Sequence, residues 1–101
     1  MVIELQKDNL ADYMSEERLL VVVEAPWCGA CKKLRVHLDK IGDEFTIVAL
    51  NGERHLRSAK FIPGKIKFYP TLGYYEKGYY IGPIQQLDII NGLKIGKIWF
   101  Y

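Results

Sequence analysis

The chain is poor in cysteine, in net charge and in long apolar runs, and each shortage excludes a class of function. Two cysteines, Cys28 and Cys31, are all that its 101 residues hold. No framework of long-range disulfides therefore supports the fold, and a pair at this spacing suits redox catalysis or metal binding better than stapling. A formal net charge of +2 is too small for composition to imply nucleic-acid binding. No stretch reaches the roughly 18 apolar residues of a membrane span. The opening MVIELQKD lacks the basic region, apolar stretch and small-residue cleavage site of a secretory signal, so a cytoplasmic location is expected. Histidine is scarce as well. His37 lies nine residues after Cys28 on one helical pattern, roughly 180° around the axis, and is no catalytic base for it. His55 falls in a basic segment and is expected at the surface, so a metal site lacks ligands.

What is present is apolar material, half of the composition, enough for one core in a single domain spanning residues 1–101. Val2 to Leu5 reads as a strand, and Asp8 is placed to cap a helix over Asn9 to Glu17 with Leu10, Tyr13 and Met14 on one face. Leu19 to Ala25, opening Leu-Leu-Val-Val-Val, suits a buried strand. Cys28 to Ile41 carries Cys31, Leu34, Leu38 and Ile41 at helical spacing, with Gly42 as its stop. Phe45 to Leu50 is a further strand closed by Asn51-Gly52, and Glu53 to Phe61 a short helix ended by Pro63-Gly64. Ile66 to Tyr75 is strand-like though interrupted by Pro70. Glu76-Lys77-Gly78 turns it into Tyr79 to Ile81, and the two Tyr-Tyr pairs are expected to point one ring inward and one outward. Gly82-Pro83 then introduces a helix with Leu87, Ile90 and Leu93. The order βαβαβαββα implies an α/β fold with a mixed central sheet and helices on both faces.

Cys28 thus stands where a strand passes into a helix. The first N–H groups of a helix lack intrahelical partners and carry the positive end of its dipole, so a sulfur there is favoured as the thiolate, the nucleophilic form. Cys28 is expected to be the exposed, reactive thiol and Cys31, one turn inside, the shielded one. Lys32 and Lys33 follow the pair. Acidic residues gather early (Glu4, Asp8, Asp12, Glu16, Glu17) and basic ones later (Arg54, Arg57, Lys60, Lys65, Lys67). Ordinary solvated faces explain both groups, with a docking surface as the alternative. The closing Lys97-Ile98-Trp99-Phe100-Tyr101 covers a sheet edge or presents an aromatic anchor.

The element order, Trp27-Cys28-Gly29-Ala30-Cys31-Lys32, Tyr69-Pro70-Thr71, Gly78 and Gly82 together resemble the thioredoxin family over nearly the whole chain. That resemblance implies the thioredoxin fold, a cis Tyr69-Pro70 bond that obstructs metal access, and substrate contacts at Trp27, Gly29, Ala30, Tyr69, Pro70 and Gly82. It implies a monomer that reduces disulfides of protein substrates, Cys28 attacking and Cys31 resolving. Its electrons would come from a thioredoxin reductase or from glutathione. No cofactor is expected beyond the redox-active Cys28–Cys31 disulfide, no metal, and no nucleic-acid or membrane partner. A glutaredoxin-like glutathione-coupled cycle, a disulfide oxidase or isomerase, a non-enzymatic docking or assembly subunit and a dithiol metal carrier are the alternatives. The chain also departs from the family. Ala30 replaces the proline of thioredoxins, and Tyr69 is bulkier than their usual residue. Val22 occupies the position of the buried carboxylate and Ala49 that of its lysine. Glu24, on the same face as Val22, is expected to reach solvent at the strand end; the alternative is a displaced carboxylate that takes the proton of Cys31.

Overall fold

A computed structural model describes residues 2–91 together with 93–95 and 98–100. Its elements run β1 (Val2–Glu4), a 3-10 helix (Leu10–Tyr13), β2 (Arg18–Glu24), α1 (Gly29–Lys40), β3 (Thr46–Asn51), α2 (Leu56–Ala59), β4 (Thr71–Glu76), β5 (Tyr79–Ile84) and α3 (Gln86–Asn91). The β-branched run of residues 19–23 becomes the middle strand of a five-stranded sheet ordered β1-β3-β2-β4-β5. β1 and β2 pair parallel with β3, while β4 pairs antiparallel with β2 and β5. A strand in that position is covered on both faces and reads as unbroken apolar sequence. Leu20 and Val22 pack on one side with Leu34 and Leu38 of α1 and Ile89 of α3. Leu19, Val21 and Val23 pack on the other with Leu10, Ala59 and Ile62. Val22 and Ala49 are direct partners in the β2–β3 ladder, so an apolar contact stands where the resemblance leads one to expect a charged pair, and no lone charge is left buried.

Several elements differ from the sequence expectation. The first helix is a single 3-10 turn, because Asp8 serves another element. Its carboxylate accepts the N–H groups of Arg57 (3.0 Å) and Ser58 (2.7 Å), capping α2 from a distant part of the chain. The hydroxyl of Ser58, first among several hydrogen bonds, holds the Asp8 carboxyl below the ordinary range. Helix α2 is only four residues long. β4 starts at Thr71 rather than Ile66, since Pro70 has no N–H for a ladder. Gly82 and Pro83 continue β5, an edge strand where a proline is tolerated.

Tyr74 and Tyr75 are both buried, one in each core layer, since the sheet is covered on both sides. Tyr79 is exposed and Tyr80 half-buried. In the short α3, Ile89 faces the core while Leu87 and Ile90 are exposed. His55 is buried at 5 % exposure, directly before α2, with neither ring nitrogen hydrogen-bonded; it is not the surface residue that its basic neighbours suggest. Leu93–Ile95 and Ile98–Phe100, β6 and β7, pair as a separate antiparallel ribbon. Leu93, expected in the last helix, thus belongs to β6; Gly92, Gly96, Lys97, Tyr101 and the side chains of Leu93, Ile98, Trp99 and Phe100 lie outside the described residues.

Because Ala49 offers no counter-charge, Val22→Asp is expected to lower the unfolding free energy by about 3 kcal/mol at neutral pH. Val22→Asp/Ala49→Lys should recover part of the loss. Urea denaturation checks both, and an unchanged midpoint for Val22→Asp would contradict the apolar pairing.

Candidate active site

Cys28 is the N-cap of α1, with extended backbone, and its sulfur accepts the N–H of Cys31 at 3.1 Å. The backbone places this sulfur against the donors that a helix start leaves unpaired. Cys28 and Cys31 are joined as a disulfide. The expected contrast in exposure is absent, with Cys28 at 4 % and Cys31 at 3 %. Ala25 forms a buried cluster with the two cysteines, Tyr69 packs against that cluster, and the Cys28 N–H is held by the Ala25 carbonyl at 3.1 Å. What separates the two cysteines is hydrogen bonding at the helix start.

Trp27, 69 % exposed, forms a wall beside the disulfide. Its indole Nε1 donates to the Glu53 carboxylate, 3.2 and 3.3 Å from the two oxygens. Its ring meets Tyr69 edge-on at 5.7 Å and 81°. Tyr69 is held from behind by the backbone of Gly52. A Cβ at Gly52 would lie 2.6 Å from Val23 Cγ1 and 2.8 Å from Tyr69 Cε1. The sequence marks Gly52 only as a turn, whereas the structure needs it bare so that Tyr69 can sit down. The Tyr69–Pro70 peptide is cis and Pro70 is buried. Gly29 and Ala30 are exposed in the first turn of α1. Gly82 stands opposite Tyr74 in the edge strand. Among the described residues no group of three or more His, Cys, Asp or Glu could hold a metal ion, and no helix is long and apolar enough to cross a membrane.

Glu24 is partly enclosed and ion-paired, not a solvent-facing strand end. Its side chain is 17 % exposed and lies 2.7 Å from Arg35 Nη2, while Arg35 Nη1 reaches Glu4 at 3.0 Å. The expectation that it reaches solvent overlooked α1, which lies across this end of β2 and brings Arg35 over it. Arg35 is one turn beyond Cys31, a spacing legible in the sequence but with nothing there to name its partner. Glu4, Glu24, Lys32 and Arg35 line one cavity of about 360 Å³ with Ala25, Pro26, Cys28 and Cys31. Burial raises the Glu24 carboxyl above the ordinary range, and the Arg35 charge opposes that shift without cancelling it. A disulfide, a carboxyl with raised proton affinity and its guanidinium partner therefore share a single space.

A family model described as Thioredoxin matches residues 1–94. Protein disulfide-isomerase 5-2 of Arabidopsis thaliana is 34 % identical over 92 % of this chain and 23 % of its own length. The chain thus spans about a quarter of the length of that relative. Thioredoxin-2 of Dictyostelium discoideum is 28 % identical over 70 % of this chain and 82 % of its own. Among solved structures, oxidised mitochondrial thioredoxin 3 of Saccharomyces cerevisiae superposes with a TM-score of 0.73 at 20 % identity, covering 89 % of this chain and 91 % of that one. The likeness to the yeast structure concerns the fold.

Gly52→Ala is expected to destabilise the protein by about 1–3 kcal/mol through overpacking, and to change Trp27 fluorescence as Tyr69 is displaced. Thermal melting and emission spectra check this, and a variant indistinguishable from wild type would remove Gly52 from the site's support.

Proposed function

This chain belongs to the thioredoxin family, a thiol–disulfide oxidoreductase with a Cys28–Cys31 pair, and from that membership we propose that it reduces the disulfides of protein substrates. The observation that carries the assignment of roles is the Cys31 N–H directed at the Cys28 sulfur at the start of α1. This donor, together with the helix dipole, stabilises negative charge on that sulfur. The Cys28 thiolate attacks one sulfur of the substrate disulfide and displaces the other as a thiolate, giving a mixed disulfide. Cys31, deprotonated, then attacks Cys28 and expels the second substrate sulfur. Two electrons have passed to the substrate and the Cys28–Cys31 disulfide is re-formed. An outside reductant, either the dithiol of a thioredoxin reductase or two molecules of glutathione that leave as their disulfide, restores the reduced pair in a reducing compartment such as the cytoplasm. Trp27 and Tyr69, the latter set by its cis bond to the buried Pro70, form the surface on which the substrate segment lies, with Gly29 and Ala30 leaving the helix start open to it.

Resolution requires Cys31 to give up a proton. Glu24 is the acceptor, supported by its place in the cavity that Cys31 also lines and by its raised proton affinity. Transfer runs directly or through one water. Arg35 positions the carboxylate and keeps enough of it ionised to act. Isomerase activity is the second reading, and the 34 % identity to a plant disulfide isomerase favours it.

Cys31→Ser is expected to accumulate mixed disulfides with a disulfide-containing protein, and Cys28→Ser almost none, as seen on non-reducing gels. Equal trapping by both, or by neither, would remove the reductase reading. Glu24→Gln should slow resolution about tenfold near neutral pH, a barrier change of about 1.4 kcal/mol. In wild type the rate should climb as pH rises through the elevated Glu24 ionisation, because only the carboxylate accepts a proton. The variant should lack that step, and a loss below about threefold would assign the role to water.

A further inference from the structure

Between Gly52 and Tyr69 the chain leaves the sheet and returns to the same place, since those two residues pack on each other. The excursion carries Arg54, Arg57, Lys60, Lys65 and Lys67, all exposed, and the sequence from Arg54 to Tyr75 contains no aspartate or glutamate. Among the described residues the ion pairs of Arg35 with Glu4 and Glu24 leave these five cations out, and no carboxylate is paired with any of them. Leu56, Phe61 and Phe68 are exposed among them. The segment is nevertheless well anchored. Ala59 and Ile62 enter the core layer beneath it, the Tyr75 hydroxyl donates to the Phe61 carbonyl, and Asp8 holds the N–H groups of Arg57 and Ser58. With the backbone and buried side chains fixed below, cations and apolar groups are left on the outer side.

We propose that residues 54–68 form a docking surface for an acidic, partly apolar segment of the protein whose disulfide is reduced. Two observations select this occupant. Five cations without a carboxylate partner among the described residues, interleaved with three apolar side chains, complement a strand or loop rich in Asp and Glu with one or two apolar residues. The surface also runs directly into Tyr69, which packs against the cluster of Ala25, Cys28 and Cys31, so a segment held there delivers its neighbouring disulfide to the reactive sulfur. Glu53 and Asp8 border the surface, and both carboxylates already accept hydrogen bonds, from Trp27 and from α2. A nucleic acid is the poorer fit, because the acidic residues elsewhere bring the net charge of the chain down to +2.

The proposal rests on protein disulfides being the substrates, and the test separates the two. Peptides with one intramolecular disulfide and either a Glu/Leu-rich or a neutral arm are compared as substrates of the full chain. Hydroxyethyl disulfide serves as an uncharged control. The acidic arm should raise kcat/KM about tenfold at low salt, and the gain should vanish near 1 M salt, where the Debye length is roughly 3 Å. Lys60→Glu/Lys65→Glu/Lys67→Glu should abolish the gain and leave hydroxyethyl disulfide reduction unchanged. Lys7→Glu/Lys33→Glu/Lys40→Glu, with the same charge change elsewhere, should keep it. Failure of wild type to reduce hydroxyethyl disulfide would defeat the reductase reading. The surface is then judged by fluorescence anisotropy of a cysteine-free Glu/Leu-rich peptide on the oxidised chain. Equal kcat/KM for both arms, equal loss in the two triple variants, no anisotropy change, or tighter binding of a single-stranded oligonucleotide or an anionic vesicle than of the peptide would each overturn the proposal.

Discussion

Everything at this site depends on one junction, where the central strand β2 ends and α1 begins with a cysteine as its cap. A helix start has unpaired N–H groups that need an acceptor, and here the acceptor is a sulfur. The requirement is exacting because the strand must stop at a fixed point. β2 is buried on both faces and registered to β3 from Leu19 to Glu24, and the Gly52 N–H closes on the Glu24 carbonyl at 2.8 Å. Those constraints set where α1 starts, and therefore where Cys28 sits relative to Trp27 and Tyr69.

The same strand explains how the chain accommodates an apolar residue where its family carries a buried carboxylate. Val22 and Ala49 face each other deep in the sheet, while the carboxylate appears two residues further on, still on the α1 side but at the strand's end. There Arg35 and Glu4 are able to surround it. Burial and the guanidinium pull the Glu24 ionisation in opposite directions, and burial prevails. Such a group holds a proton more readily than an exposed glutamate, as the acceptor proposed for the Cys31 proton requires. At the mouth, Trp27 and Tyr69 are braced by Glu53 and Gly52, so two aromatic rings with large exposed or half-exposed faces hold their orientation without a rigid proline at Ala30.

The sheet order and the dithiol were legible because strong local signals and long-range packing agree there. The β-branched run, the Cys-x-x-Cys spacing and the helical repeat after it all point to one geometry. Reading failed where a side chain serves a distant element. Asp8 resembled a local helix cap and instead caps α2, 49 residues away to Arg57. His55 looked like a surface residue because its neighbours are basic, yet it lies beneath them. Glu24 was expected at the surface because strand ends usually are, and only the path of α1 above it reveals the enclosure. Gly52 was readable as a turn, but its need to stay free of a Cβ comes from Tyr69, which the sequence does not place beside it.

The proposed reductase role requires the Cys28–Cys31 pair to donate electrons to protein disulfides. The reduction potential of that pair, measured by equilibration with glutathione or a reference dithiol, tests it most directly. A value near those of reductases, about −270 to −230 mV, is expected. A value at or above about −180 mV, in the range of isomerases and oxidants, would contradict the reductase assignment and favour disulfide formation or isomerisation.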